Sequence, residues 1–189
     1  MSALLLLAGF FAGAIPFGVI IAKRRGVDIR KQGSGNIGAT NVGRVLGIRD
    51  GLLVLLLDAL KGGLVTLVAA RFDGDPWVIV ATGFAAILGH CFSPWLGGKG
   101  GKGVATALGV FVVLAPALVA VAVAMFAAVL AATRVPALGS LAAALTISVG
   151  LVAGRGGPYA ALACATTALL VYTHRTNLAK LRARLRDRP

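Results

Sequence analysis

Charge is scarce in this chain of 189 residues. Asp, Glu, Lys and Arg make up 13% of it, against about 25% in ordinary soluble proteins, and the mean hydropathy is +0.91. Lipid is therefore the solvent for most of the sequence. Acidic residues are scarcer still, six against 19 Lys and Arg, for a formal net charge of +13. Such an excess could suit nucleic acid, but these cations lie between apolar runs and report membrane topology instead, so no nucleic-acid partner is expected. Only two cysteines occur, Cys91 and Cys164. They offer neither a metal-ligand spacing nor a disulfide framework, and no metal or other cofactor is expected. The apolar first 22 residues lack a basic start and an Ala-x-Ala site, and run straight into Lys23, Arg24 and Arg25. They read as a first helix and not as a cleaved signal. There is no internal repeat.

What remains is a succession of apolar stretches: 2–22, 52–70, 77–89, 104–133, 137–153 and 158–173. A hydrocarbon core of roughly 30 Å needs about 20 apolar residues per helix. The fourth stretch would make one helix of ~45 Å, and Pro116 sits near its middle. Splitting it at Ala115 and Pro116 gives seven transmembrane helices in an all-α integral membrane protein, a single polytopic domain over 1–189. With the N-terminus external and the C-terminus cytoplasmic, sixteen of the nineteen cations fall on inner segments: 23–51, 90–103, Arg134 and the basic tail 174–189. Six spans would strand that tail outside, against the positive-inside bias. Within the tail, Leu178, Leu181 and Leu185 share one helical face, with Lys180, Arg182, Arg184 and Arg186 around it. That pattern predicts a short amphipathic helix on an anionic leaflet.

Two inner loops carry the chemistry. The first reads Gly33-Ser34-Gly35-Asn36-Ile37-Gly38-Ala39-Thr40-Asn41, followed by Arg44. Its glycines let backbone N–H groups converge on an anion, Ser34, Asn36, Thr40 and Asn41 add neutral donors, and Arg44 can close the nest with a bidentate fork. A turn-rich linker would use the same small residues. The second runs Gly97-Gly98-Lys99-Gly100-Gly101-Lys102-Gly103 into Val104-Ala105-Thr106. Five glycines and two lysines at a predicted helix start put backbone donors, a positive dipole end and ammonium groups together, which suits phosphate. It is not a Walker A loop. Counting back from Lys102, the first required glycine falls on Leu96, and Gly103 occupies the magnesium-binding Ser/Thr position.

Both histidines, His90 and His174, fall at predicted inner helix ends, the latter followed by Asn177. Either could accept a proton. Asp58 and Lys61 are the ionisable residues predicted well inside a span, where charge is expensive and is paired or functional.

In order and spacing, these strings resemble a known family. Asp28 to Val42 through the first loop, Asp58-Ala59-Leu60-Lys61-Gly62, Gly89-His90, Lys99 to Thr106, and His174 with Asn177 are similar to the acyl-phosphate:glycerol-3-phosphate acyltransferases, the PlsY family of bacterial inner membranes. The resemblance covers essentially the whole chain. It implies transfer of a fatty acyl group from acyl phosphate to the 1-hydroxyl of sn-glycerol 3-phosphate. The products are lysophosphatidic acid and phosphate, formed in a multi-pass plasma-membrane enzyme whose site faces the cytoplasm. Neither acyl-CoA nor acyl carrier protein serves as donor in that family. The His-x4-Asp pattern of other glycerolipid acyltransferases is missing, since Trp95 and Ala179 stand five residues after the two histidines. Two departures are visible: Gly98 stands where a Phe is usual, and Ala137 begins the Ser-Leu-Gly-Ser motif that ends here at Ser140.

One phosphate is expected on Lys99 and Lys102 with Gly100, Gly101, Gly103 and Thr106. The other falls to the first loop, with Ser34, Gly35, Asn36, Gly38, Thr40, Asn41 and Arg44. Ser140 completes the binding set, and Asp58 and Lys61 support it. Proton acceptance falls to His174, with Asn177 beside it, to His90, or to a substrate phosphate whose second pKa is about 6. Ser34 as an acylated nucleophile is the weaker alternative. A transporter should show broken helices in two repeats, and a channel should show a filter or a charged ring; neither pattern is present. Small-residue helix faces serve folding and association alike, so a monomer satisfies the sequence and an oligomer is not required by it.

Overall fold

The computed structural model describes residues 1–186, with Arg184 and Leu185 by backbone alone. Among the described residues, all regular structure is helical. The chain forms two compact units, the first spanning Met1–Pro116 and the second starting at Ala117.

The first unit begins with a helix in two pieces, α1 (Ser2–Ala14) and α2 (Phe17–Arg24). The single first helix expected from the sequence is thus interrupted. Pro16 has no N–H and sits at φ −92° and ψ 70°, outside helical geometry, so the ladder cannot pass through it. The carbonyls of Ala14 and Ile15 leave the helix and are taken up elsewhere. Ser93 Oγ donates to Ala14 at 2.7 Å, and Lys61 Nζ donates to Ile15 at 2.8 Å.

The expected open loop 23–51 contains structure of its own: a 3-10 turn over Ile29–Lys31, then α3 (Ala39–Leu46), with α4 (Ile48–Phe72) starting immediately after. α4 has 25 residues, ~37 Å of helix at 1.5 Å per residue. Leu52, Leu56, Leu60, Leu64 and Leu67 are exposed along it, while Asp58, Lys61 and Thr66 are buried. Apolar outside and polar inside is the reverse of a soluble helix and fits a lipid surround. A tight turn leads from α4 to α5 (Pro76–Cys91), where Asp75 caps the new helix through Trp77 N–H and Pro76 fills the first position. The glycine-rich segment follows, and then α6 (Val104–Leu114).

Helices approach closely where side chains are absent. A Cβ at Gly13 would overlap the Ala86 backbone and one at Gly89 the Phe10 carbonyl, seating α1 on α5. A Cβ at Gly109 would overlap the Ala59 carbonyl, seating α6 on α4. Backbone-to-backbone contact of this kind replaces the hydrophobic effect as the cement between helices in lipid.

α6 ends at Leu114, and α7 (Pro116–Thr133) opens on the proline at which the sequence places its break. The second unit is built from α7, α8 (Pro136–Gly154) and α9 (Gly157–Arg186). Gly139 packs on Phe126, Gly150 packs on Leu118, and Ser148 Oγ meets Thr167 Oγ1 at 2.8 Å between α8 and α9. The separate amphipathic tail helix does not form as such. Residues 174–186 continue α9 without interruption, because nothing after Thr173 breaks the ladder. Leu178 and Leu181 are half-buried, whereas the Arg184 and Leu185 side chains and all of 187–189 lie outside the described residues. Segments 2–24, 48–72, 76–96, 116–133 and 136–154 are each long and apolar enough to cross a bilayer. α6, with 11 residues, is ~16 Å long.

Candidate functional site: two glycine loops and a buried ion triad

The first loop is organised by one buried amide. Asn41, 2% exposed on α3, accepts from the Ser34 N–H at 2.8 Å and donates both Nδ2 hydrogens, to the Gln32 and Asn36 carbonyls at 3.0 and 2.9 Å. The sequence assigned Asn41 to ligand binding, but both its donors are committed to the loop backbone. Asn36 behaves similarly, since its Oδ1 accepts from Gly38 N–H at 2.8 Å. The Gly35 N–H is held by the Gln32 carbonyl at 2.9 Å. What the loop offers to solvent is side chains: Ser34, Thr40 and Arg44 are exposed. Thr40 and Arg44, four residues apart on α3, share a face.

The ends of this segment are tied by a bidentate pair. Arg25 Nε and Nη2 reach Asp50 Oδ2 and Oδ1 at 3.1 and 3.0 Å, and Asp50 occupies the first turn of α4, where a carboxylate is favoured by the helix dipole. The hydrogen bond to Asp50, and then its charge, raise the already high pKa of the Arg25 guanidinium. No feature of the sequence singled out this pair, because neither residue stands in a motif.

The second loop resolves the expected cradle differently. Gly97 and Gly98 lie at φ 61° and 76° and Gly103 at 89°, conformations a side chain disfavours. The Gly98, Gly100 and Gly101 N–H groups donate to Ser93, Cys91 and His90 carbonyls at 2.9, 3.0 and 3.0 Å. These glycines therefore serve the loop's own shape. Unsatisfied backbone donors lie one step further on, in the first turn of α6 at Val104, Ala105 and Thr106, as in the first turn of any α-helix. Thr106 is fully buried, and its Oγ1 has no hydrogen-bond partner. Lys99 is exposed and Lys102 is half-buried.

Beneath this loop, three polar groups meet inside the first unit. Lys61 Nζ lies 2.7 Å from Asp58 Oδ1, an ion-pair contact out of line for a hydrogen bond, and 2.9 Å from His90 Nδ1. It also donates to the Ile15 carbonyl and sits 5.6 Å from the Phe17 ring centroid. Asp58, Lys61 and His90 are 1%, 6% and 4% exposed. The sequence placed Asp58 and Lys61 inside one span, where charge is paired or functional. The attachment of His90 and of the α1–α2 break was not legible, although Pro16 inside an apolar run was a signal for the latter.

In the second unit, Ser140 Oγ donates to the Pro136 carbonyl at 3.0 Å within α8. His174 is 2% exposed on α9. Its Nδ1 lies 2.8 Å from the Leu170 carbonyl, which can only accept, so Nδ1 carries the proton and Nε2 is the acceptor nitrogen of the neutral ring. Asn177 lies one turn along the same helix.

Apolar-outside helices around a polar interior, capped by cationic glycine-rich loops, define a helical integral membrane protein. The family described as Glycerol-3-phosphate acyltransferase matches residues 3–184. A Myxococcus xanthus (strain DK1622) protein called Glycerol-3-phosphate acyltransferase is 49% identical over the full length of both chains. One of the same description from Geobacter sulfurreducens is 45% identical, covering 92% of this chain and 90% of its own. The crystal structure of PlsY (YgiH), an integral membrane glycerol 3-phosphate acyltransferase in its glycerol 3-phosphate form, superposes with a TM-score of 0.92. It is 40% identical, over 96% of this chain and 92% of that one. Its lysophosphatidic acid form gives 0.90 at 39% identity. The chain belongs to the PlsY family of glycerol-3-phosphate acyltransferases.

Proposed function

We propose that this protein transfers a fatty acyl group from acyl phosphate to the 1-hydroxyl of sn-glycerol 3-phosphate, giving 1-acyl-sn-glycerol 3-phosphate and inorganic phosphate. The observation that carries the reading is the second loop. Lys99 and Lys102 flank a turn whose glycine N–H groups are already used, so that the open first turn of α6 remains for an oxyanion. Membership of a family with solved glycerol 3-phosphate and lysophosphatidic acid forms supports it.

The chemistry needs positioning more than activation. Acyl phosphate is already an activated donor. The hydroxyl oxygen attacks the acyl carbon, the bond from that carbon to the phosphate oxygen breaks, and the phosphate departs with the electron pair. Holding the two reacting atoms ~3 to 3.5 Å apart supplies the proximity advantage. Cations and backbone donors stabilise the carbonyl oxyanion and the leaving phosphate. Lys99, Lys102 and the α6 start are assigned to one phosphate, and Arg44 with Thr40 and Ser34 to the other. His174, whose Nε2 is the acceptor nitrogen, is assigned the hydroxyl proton, with the substrate phosphate as the competing acceptor. No acyl-enzyme is required.

The site is assigned to the cytoplasmic face of a bacterial plasma membrane, in a seven-span chain with an external N-terminus. Sixteen of nineteen cations on the inner segments support that orientation. Purified protein in lipid, given acyl phosphate and glycerol 3-phosphate, should release phosphate and lysophosphatidic acid together, and acyl-CoA should not replace the donor. No release across varied lipid and pH would sink the reading. His174→Ala with near-normal kcat would remove that histidine as the base.

A further inference from the structure

We infer that Lys61 is a positioning residue for the second glycine loop, holding His90 as its Nε2–H tautomer against Gly101. The step that links this to substrate rests on the acyltransferase reading above; the tautomer does not.

An ammonium group has three N–H donors and no acceptor. Three partners surround Lys61 Nζ: the Ile15 carbonyl at 2.8 Å, Asp58 Oδ1 at 2.7 Å and His90 Nδ1 at 2.9 Å. Because the lysine can only donate, His90 Nδ1 must present its lone pair, and the proton of the neutral imidazole then resides on Nε2. An imidazolium would turn an N–H toward the ammonium at 2.9 Å, in a place where neither group has water to screen it. Asp58, whose Oδ1 lies 2.7 Å from Nζ, balances the charge of Lys61.

The far edge of the same ring shapes the loop. A Cβ at Gly101 would overlap His90 Nε2, with Cε1 and Cδ2 at 2.8 and 3.0 Å, so the glycine backbone rests on the imidazole. The His90 carbonyl accepts the Gly101 N–H, and the Cys91 carbonyl accepts the Gly100 N–H, both at 3.0 Å. Ring and backbone of one helix end thus fix two consecutive glycines, and Lys102 and the α6 start follow directly. Among the described residues, Nε2 has no protein acceptor. His90 therefore meets the loop as a donor, which excludes it as the group that takes the hydroxyl proton. An apolar residue at 61 would fill the space without the desolvation of an ion. An ammonium instead donates to the Ile15 carbonyl and to His90 Nδ1 while its charge answers that of Asp58.

The test uses the full chain in nanodiscs with 15N-labelled histidine. There are two histidines, so the His174→Asn variant assigns the spectrum. Wild type should show His90 protonated at Nε2 and bare at Nδ1. Lys61→Met, and Asp58→Asn/Lys61→Met, which leaves no carboxylate orphaned, should mix the His90 tautomers. They should also raise KM for the phosphate substrates about tenfold or more, with a smaller change in kcat. A wild-type His90 carrying a proton on Nδ1 overturns the inference. So does a folded double variant with wild-type tautomer and KM. If wild type itself releases no phosphate, the acyltransferase reading fails while the spectrum still decides the tautomer.

Discussion

Gly101→Ala tests the loop most directly. The new methyl would overlap His90 Nε2 and lie 2.8 and 3.0 Å from its carbon neighbours. The ring cannot retreat, since it is 4% exposed and held at Nδ1 by Lys61. The loop must move instead, which stretches the Gly101 N–H bond to the His90 carbonyl. Overpacking costs about 1–3 kcal/mol and the lost hydrogen bond about 1 kcal/mol. Counted against transition-state binding, the total of about 2–4 kcal/mol lowers kcat/KM by roughly 30- to 700-fold. Two companions separate shape from contact. Gly98→Ala meets nothing within 4 Å but sits at φ 76°, and the left-handed conformation alone should cost about 1–2 kcal/mol, or roughly 5- to 30-fold. Gly74→Ala, in the α4–α5 turn with open space and an ordinary φ, should stay within about twofold. Phosphate release at saturating and limiting glycerol 3-phosphate gives all three. A well-folded Gly101→Ala protein as active as Gly74→Ala would refute the seating of the loop on His90.

Asn41→Ala should leave the Ser34 N–H and the Asn36 carbonyl without partners, while the Gln32 carbonyl keeps the Gly35 N–H, about 2–4 kcal/mol of local stability, seen as faster limited proteolysis between residues 32 and 41 and a matching loss of turnover. Gly109→Ala should lower Tm by driving a methyl into the Ala59 carbonyl, worth about 1–3 kcal/mol, and unchanged thermal unfolding would contradict the α4–α6 packing. Among the described residues no group of three or more His, Cys, Asp or Glu is placed to hold a metal. Turnover is accordingly expected to survive EDTA, and a loss restored by added divalent cation would show otherwise.

The break at Ala115 and Pro116 was legible because it needed only a length, a proline and the thickness of a bilayer. The helical class was legible because in lipid each backbone must satisfy itself, and a run of some twenty apolar residues does so only as a helix. The assignment of individual loop groups was less so. Asn36, Gly38 and Asn41 have the composition of an anion nest, and composition does not say whether a donor faces outward or inward. In the folded loop they face each other, leaving Ser34, Thr40 and Arg44 for solvent. The α1–α2 interruption was written in Pro16, yet its consequence was not, because the groups that accept the freed carbonyls lie 46 and 79 residues away in sequence.

The sequence by itself determined the solvent, the helical class and the family, and it marked both glycine loops as the chemically interesting segments. Those are properties of composition and local order, and they survive without knowledge of any contact. Only the tertiary structure decided which loop donors are used within the fold, and it joined Lys61, Asp58, His90 and Gly101. Asp58 and Lys61 come from α4, His90 from α5 and Gly101 from the loop that follows it. An ammonium, a carboxylate and an imidazole each have several hydrogen-bonding states, and their neighbours in space select one.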